Sequence, residues 1–145
     1  DPLAGGRKAR KLLRELSVSE EIIRRVEHIV DNVSFKGANL PNKIKSREGK
    51  MVQDADRLDA LGAIGVARVF ATSAYFKHIL HDPKLKPAFH NNFKDYQKSY
   101  TSINHFYEKL LLLKDRMNTE TGRKIAQAQH KFTQNFLNKF LEEWG

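Results

Sequence analysis

Gln53-Asp54-Ala55-Asp56-Arg57-Leu58-Asp59 is the stretch on which the reading of the fold turns. It lies at the start of a segment, Val52 to Phe70, that otherwise reads as a buried helix. At the helical period, Met51, Val52, Leu58, Leu61, Ile64, Val66, Val69 and Phe70 cover most of the helix surface. A helix that is apolar nearly all round is a buried one, and carboxylates on such a helix are costly unless something pairs with them. Asp56 and Asp59, three positions apart, share one side. Asp54 points the other way, within i,i+3 reach of Arg57. The expectation is a structural ion pair between Asp54 and Arg57, and a cation inside the protein facing Asp56.

The flanking chain organises as helices with short connections. Ala9, Leu12, Leu13 and Leu16 recur at helical spacing within Arg7 to Leu16. Ser17-Val18-Ser19-Glu20 reads as a capping box opening a second helix, with Ile22, Ile23, Val26, Ile29, Val30 and Val33 turned inward and an end near Asn32 to Ser34. Gly37 to Gly49 reads as a loop with a basic run, Lys43, Lys45, Arg47 and Lys50. The Asp-bearing helix follows, to about Thr72. Ser73 to Lys86 has no decisive pattern and ends in prolines. A long helix is expected from about His90 to Met117, with Asn118-Thr119 breaking it and capping a last helix that runs to about Glu143. Small residues from Ala55 to Ala67, Gly62 and Gly65 among them, imply close packing, because glycine is otherwise unfavourable in a helix. No strand of clear period, internal repeat or linker is present. The expectation is one all-α domain.

Composition narrows the function classes. The 145 residues contain no cysteine, which excludes a disulfide framework, a thiolate nucleophile and thiolate metal ligands. No apolar run is long enough to cross a bilayer, and the default location is the cytoplasm. The net charge of +9 is spread along the chain rather than clustered. A diffuse surplus attracts polyanions in general; it argues for phosphorylated small molecules more than for a nucleic-acid groove.

Val52-Gln53-Asp54-Ala55-Asp56-Arg57-Leu58-Asp59-Ala60-Leu61-Gly62-Ala63-Ile64-Gly65 resembles the last motif of HD-domain metal-dependent phosphohydrolases. Ser34-Phe35-Lys36-Gly37, Ser102-Ile103-Asn104-His105-Phe106-Tyr107-Glu108-Lys109-Leu110-Leu111 and Gln129-His130-Lys131-Phe132 resemble the same bacterial-type nucleotide phosphohydrolase branch. The resemblance implies an HD-domain-like helical bundle that hydrolyses a phosphate ester or anhydride, with a nucleotide as the expected substrate. It implies a divalent metal, held by a His, a His-Asp pair and a distant Asp that maps onto Asp56. Such a ligand set suits Mn²⁺, Fe²⁺, Co²⁺ or Ni²⁺, with Mg²⁺ as a further candidate.

The family's His and His-Asp pair lie upstream of the part that Asp1 to Leu16 resembles. The domain is therefore expected to be N-terminally incomplete, with Asp56 alone of the ligand set, and its acidic side covered by upstream helices or a second copy of the chain. His81-Asp82, with His78 three residues earlier, is a literal His-Asp pair, but it follows Asp56 in the wrong order and reads as a helix end or loop with His81 solvated. His105 and Lys109, i,i+4 neighbours beside a core stripe of Ile103, Phe106, Leu110, Leu113 and Met117, fit either contacts to substrate phosphate or a leaving group, or a polar core edge with Lys109 paired to Glu108 or solvent. Lys36 before Gly37 fits a phosphate contact or an ordinary surface lysine. Asp54, Arg57 and Asp59 are read as supporting residues; Tyr107, Lys114 and His130 read as structural. The competing function is a non-catalytic nucleotide- or nucleic-acid-binding or regulatory module that lacks the metal site.

Overall fold

The computed structural model describes residues 3–92, 94 and 101–145. Helices make up the framework, and the one β-pairing among the described residues is an isolated bridge between Ile79 and Thr101. The expected all-α class holds. Helices α1 (Ala4–Glu15) and α2 (Glu20–Asn32) form a hairpin. Ser17 makes its turn at φ 55°. Ser19, not Ser17, is the N-cap of α2, and its side chain caps nothing, so the capping box does not form. The hairpin is held by Arg10, which bonds Glu27 and Glu20, and by Arg14 on Glu20. Of the residues expected to point inward, Ile23 is fully buried, whereas Leu12, Leu16, Ile22 and Val30 are exposed.

The expected single helix from Val52 to Thr72 is two helices. Ser46 accepts from the Gly49 amide and starts α3 (Arg47–Asp59); α4 runs Gly62–Tyr75. Gly62 takes φ +69°, a conformation that costs other residues a Cβ clash. Its amide donates to Thr133 Oγ1 at 3.1 Å, which ties the corner to the last helix. Gly65 completes the turn: a Cβ there would sit 2.2 Å from the Ala60 carbonyl oxygen. The glycines thus serve a corner rather than a long packed helix.

Burial on α3 is the reverse of what hydrophobicity suggests. Gln53, Asp54 and Arg57 are buried, while Met51, Val52, Ala55, Asp56 and Asp59 are exposed. Asp56 and Asp59 lie on the exposed face of α3. Helix α4 buries one stripe, Gly62, Gly65, Val66, Val69 and Ser73, and exposes Ile64.

The expected long helix from His90 to Met117 is shorter. Thr101 accepts from the Asn104 amide and starts α5 (Ser102–Glu108), and the chain leaves helical geometry at Lys109, with φ −137°. Two 3₁₀ turns follow, Leu110–Leu112 and Lys114–Arg116. Part of the expected helix, residues 93 and 95–100, lies outside the described residues. The tighter turns keep Leu110 and Leu113 in register, so the predicted stripe of Ile103, Phe106, Leu110, Leu113 and Met117 is buried throughout. Thr119 then caps α6 (Glu120–Trp144) by accepting from the Gly122 amide, as expected. Phe70, Phe106, Phe136 and Phe140 gather between α4, α5 and α6 with ring centroids about 6 Å apart. Phe106 is fully buried, which contributes roughly 1.5–3 kcal/mol, and the other three rings, half-buried, contribute less.

Asp54 joins α3 to the start of α6. Its Oδ1 accepts from the Asn118 amide at 2.8 Å and Asn118 Nδ2 at 2.9 Å. Its Oδ2 accepts from the Thr119 amide at 2.8 Å and Thr119 Oγ1 at 2.7 Å. The expected ion pair with Arg57 is replaced by these four bonds, and Arg57 donates instead to the Arg116 carbonyl. Burial acts to raise the Asp54 pKa, but the bonds from Asn118 and Thr119 outweigh it and hold the carboxyl below its usual value. Gly122 leaves room for this contact: a Cβ there would lie 2.6 Å from Asp54 Oδ2.

Two outcomes follow from this clamp. Gly122→Ala should destabilise the protein in denaturant unfolding although Ala is the better helix former by about 1 kcal/mol; a stabilised variant would remove the clamp from the account. Because the Asp54 pKa is depressed on folding, its contribution is full above the unfolded value of 3.8 and is lost as pH falls below it. Asp54→Asn should flatten the acid limb of a stability–pH profile, and an unchanged limb would show that Asp54 does not carry it.

Candidate functional site

The corner between α3 and α4 faces α5 across a cavity of about 450 Å³. Asp56 and Asp59 reach its rim from α3, Arg68 and Thr72 from α4, and His105 from α5, with Lys109 just beyond α5. His78 enters from the segment after α4. Three of the residues singled out in the sequence, Asp56, His105 and Lys109, thus converge, although Asp56 lies far from the other two along the chain. Their convergence depends on the Gly62 corner and on the pairing of residues 79–80 with 101–103, where the Ser102 and Ile103 amides donate to the Ile79 and Leu80 carbonyls.

The electrostatics of this cavity are mixed. Desolvation raises the Asp56 pKa above the usual carboxylate value; the nearby cations of Lys109 and Arg57 oppose that shift. Burial lowers the Lys109 pKa, and the Asp56 charge offsets part of it. His105 is pushed down to about 4, first by burial, then by the charges of Lys109 and His78. At neutral pH it is therefore a neutral imidazole rather than a cation. Asp59 is engaged by Arg68, which lies 2.6 Å from its carboxylate and also donates to its backbone carbonyl. Both partners are exposed, so solvent screens the pair and leaves Arg68 able to turn toward an anion.

Other residues fall elsewhere. Lys36 donates to the Asp31 carbonyl at 2.6 Å and lines a separate cavity with Arg57. Glu108 turns inward, accepting from the Ala88 amide at 3.0 Å, rather than pairing with Lys109. The His78–His81 pair is split. His78 faces the cavity, whereas His81 is half-buried and packs edge-on against Trp144 at 5.5 Å instead of being solvated. Asp82 accepts from the Lys84 amide in a turn. Sequence reasoning does not place Arg68 or His78 at the site. Arg68 carries a signal, as the lone charge between Ala60 and Tyr75; His78 is masked by its neighbour, the out-of-order His81-Asp82 pair.

Among the described residues, no three His, Asp or Glu side chains come together as a metal site. Asp56 offers one carboxylate, which does not make a complete set for a divalent ion. The cavity's own residues can hold an anion with Lys109 and Arg68 and supply a neutral imidazole beside it. Among the described residues, no helix is long and apolar enough to cross a membrane.

No family model matches the chain. The chain is 41% identical over 127 residues to YpgQ of Bacillus subtilis (strain 168), covering 87% of itself and 55% of that protein. A crystal structure of YpgQ in complex with ADP superposes with a TM-score of 0.68 at 31% identity, over 95% of this chain and 63% of that one. A crystal structure from Lactobacillus plantarum superposes with a TM-score of 0.85 at 37% identity, over 91% of this chain and 63% of that one. An HD-superfamily hydrolase from Bacillus thuringiensis gives a TM-score of 0.65 at 42% identity, over 97% of this chain and 63% of that one. The chain spans about half to two-thirds of the length of these relatives. It is a single helical domain with the fold of HD-domain structures.

Proposed function

We propose that the protein is a phosphohydrolase that acts on a nucleotide or a similar small phosphorylated compound, with its reacting centre in the cavity lined by Asp56, His105 and Lys109. The observation that carries the reading is the convergence of a carboxylate, a neutral imidazole and two cations on one cavity. Support comes from the HD-superfamily hydrolase of similar fold and from the relative YpgQ, whose crystal structure contains ADP. The resemblance to HD-domain enzymes implies a divalent ion, toward which this chain would supply Asp56. When bound, such an ion polarises a phosphoryl group and activates water.

The residues of this chain have definable tasks. Lys109, desolvated beside Asp56, presents a charge whose field is strong in a low-dielectric cavity, and a phosphate there forms charge-assisted hydrogen bonds. Arg68 adds a forked donor at the rim. His105, neutral at pH 7, orients a substrate oxygen without adding net charge. Lys36 lies with Arg57 in another cavity, so its contribution to phosphate binding is separate from this centre.

The test is an assay of the protein on a panel of nucleotides with Mn²⁺, Mg²⁺, Co²⁺ and Ni²⁺, reading phosphate and pyrophosphate release. Asp56→Asn should lower turnover by roughly 10²–10³-fold, the range seen when a charge-stabilising group is removed. Its unfolding free energy should not fall, because folding raises the Asp56 pKa and the charged carboxylate therefore does not stabilise the fold. Wild-type turnover in that variant would remove Asp56 from the centre. Lys109→Ala should raise KM by about tenfold, the loss of one charge-assisted bond; an unchanged KM would return Lys109 to a structural role. The ring of His105 should titrate at about 4 in an NMR pH series, against an ordinary value of 6.5. The stability it contributes is full above 6.5 and declines as pH falls toward 4. A midpoint near 6.5 would mean the cavity is wetter than described.

A further inference from the structure

On another side of α3, away from Asp56, the loop that follows α2 closes a second cavity of about 130 Å³. It shares no lining residue with the first. Among the described residues, four cations line it, Lys36, Lys43, Arg57 and Arg116, and no carboxylate does. That composition is unusual for a small cavity, because like charges repel unless an anion joins them.

Three of the four cations are held in place by backbone carbonyls. Lys36 donates to the Asp31 carbonyl, Arg57 to the Arg116 carbonyl, and Arg116 to the Ala38 carbonyl. Carbonyl oxygens fix these side chains but carry no net charge to cancel theirs. Arg57 is 6% exposed, and its Nε is buried with no hydrogen-bond partner. Burial weighs against its charge, Asp54 partly offsets this, and Arg116 adds repulsion. Asp54 already accepts four bonds from Asn118 and Thr119.

The wall is rigid before any ligand arrives. Gln53, 3% exposed, donates to the Asn32 and Val33 carbonyls and accepts from Asn42. Gly37 takes φ +147°, and a Cβ there would lie 3.0 Å from the His90 carbonyl oxygen, so the loop's path has little freedom. A cavity of about 130 Å³ has room for a tetrahedral oxyanion.

We propose that this cavity, built by Lys36, Lys43, Arg57 and Arg116, is a second anion site that binds a phosphate group outside the Asp56 cavity. The anion supplies the negative charge that the four cations lack. The site does not depend on the activity proposed above, since no residue is shared.

Inorganic phosphate and ADP, titrated separately against isotope-labelled protein, distinguish a free ion from a nucleotide's terminal phosphate. The expected result is saturable movement of the Lys36 to Lys43 amides with at least one of the two. That movement should persist in Lys109→Ala and weaken about tenfold or more in Lys43→Glu, which reverses one of the four charges. Lys43 is exposed, so this variant leaves the fold intact, and Arg116→Lys tests a more buried member while keeping its charge. The proposal is overturned if neither probe moves the loop, if Lys109→Ala abolishes the movement, or if Lys43→Glu leaves affinity unchanged.

Discussion

The hydrogen-bonded seat of Asp54 is the constraint on which the rest of the structure depends. A carboxylate buried to 3% exposure costs several kcal/mol of desolvation if left alone. Four donors from Asn118 and Thr119 meet it, and two of them are backbone amides at the start of α6, where the helix leaves amides unpaired. The contact therefore answers two deficits at once. It fixes the rotation of α3, because the face that carries Asp54 must look toward α6. With that settled, Gln53 and Arg57 turn inward beside the loop, and Asp56 turns outward to the cavity below α4.

One short helix thus serves several environments. Its inner face is a polar core, in which Gln53 links Asn32, Val33, Asn42 and Asn118 across long stretches of chain. Arg57 continues that core toward Arg116, whose guanidinium lies 5.3 Å above the Phe35 ring. The outer face offers Asp56 to Lys109 across the first cavity. Magnitudes separate the two faces. The exposed pair of Asp59 and Arg68 is screened by solvent and contributes little, whereas stranding the donors of the Asp54 seat would cost about 1–3 kcal/mol for each group. The outer residues are free to serve chemistry because stability does not rest on them.

Much of the fold could be read from residues. Two local signals hold, the Thr119 cap of α6 and the buried stripe from Ile103 to Met117, while a third, the capping box at Ser17, does not form. The motif strings identified an HD-like helical fold. What failed was inference from hydrophobicity about which face of α3 turns inward. The partners of Asp54 lie 64 and 65 residues away, and no pattern within the helix names them. Gly62 and Gly65 carried the corner, but in sequence a corner and tight packing look alike. Lys36 and Lys109 both suggested phosphate, yet the loop after α2 passes round a different side of α3, so the two lysines serve different cavities. Sequence shows which groups want an anion; the path of the chain decides which of them can share one.

The central claim is that the Asp54 seat divides α3 into a structural inner face and a ligand-bearing outer face. An ADP titration followed through the amide and side-chain signals of labelled protein addresses it directly. The account predicts that Asp56, Arg68, His105 and Lys109 shift together while Asp54, Thr119 and Gly122 stay in place. Shifts centred on Asp54, Thr119 and Gly122 with Asp56 and Lys109 silent, or no shifts at all, would contradict it.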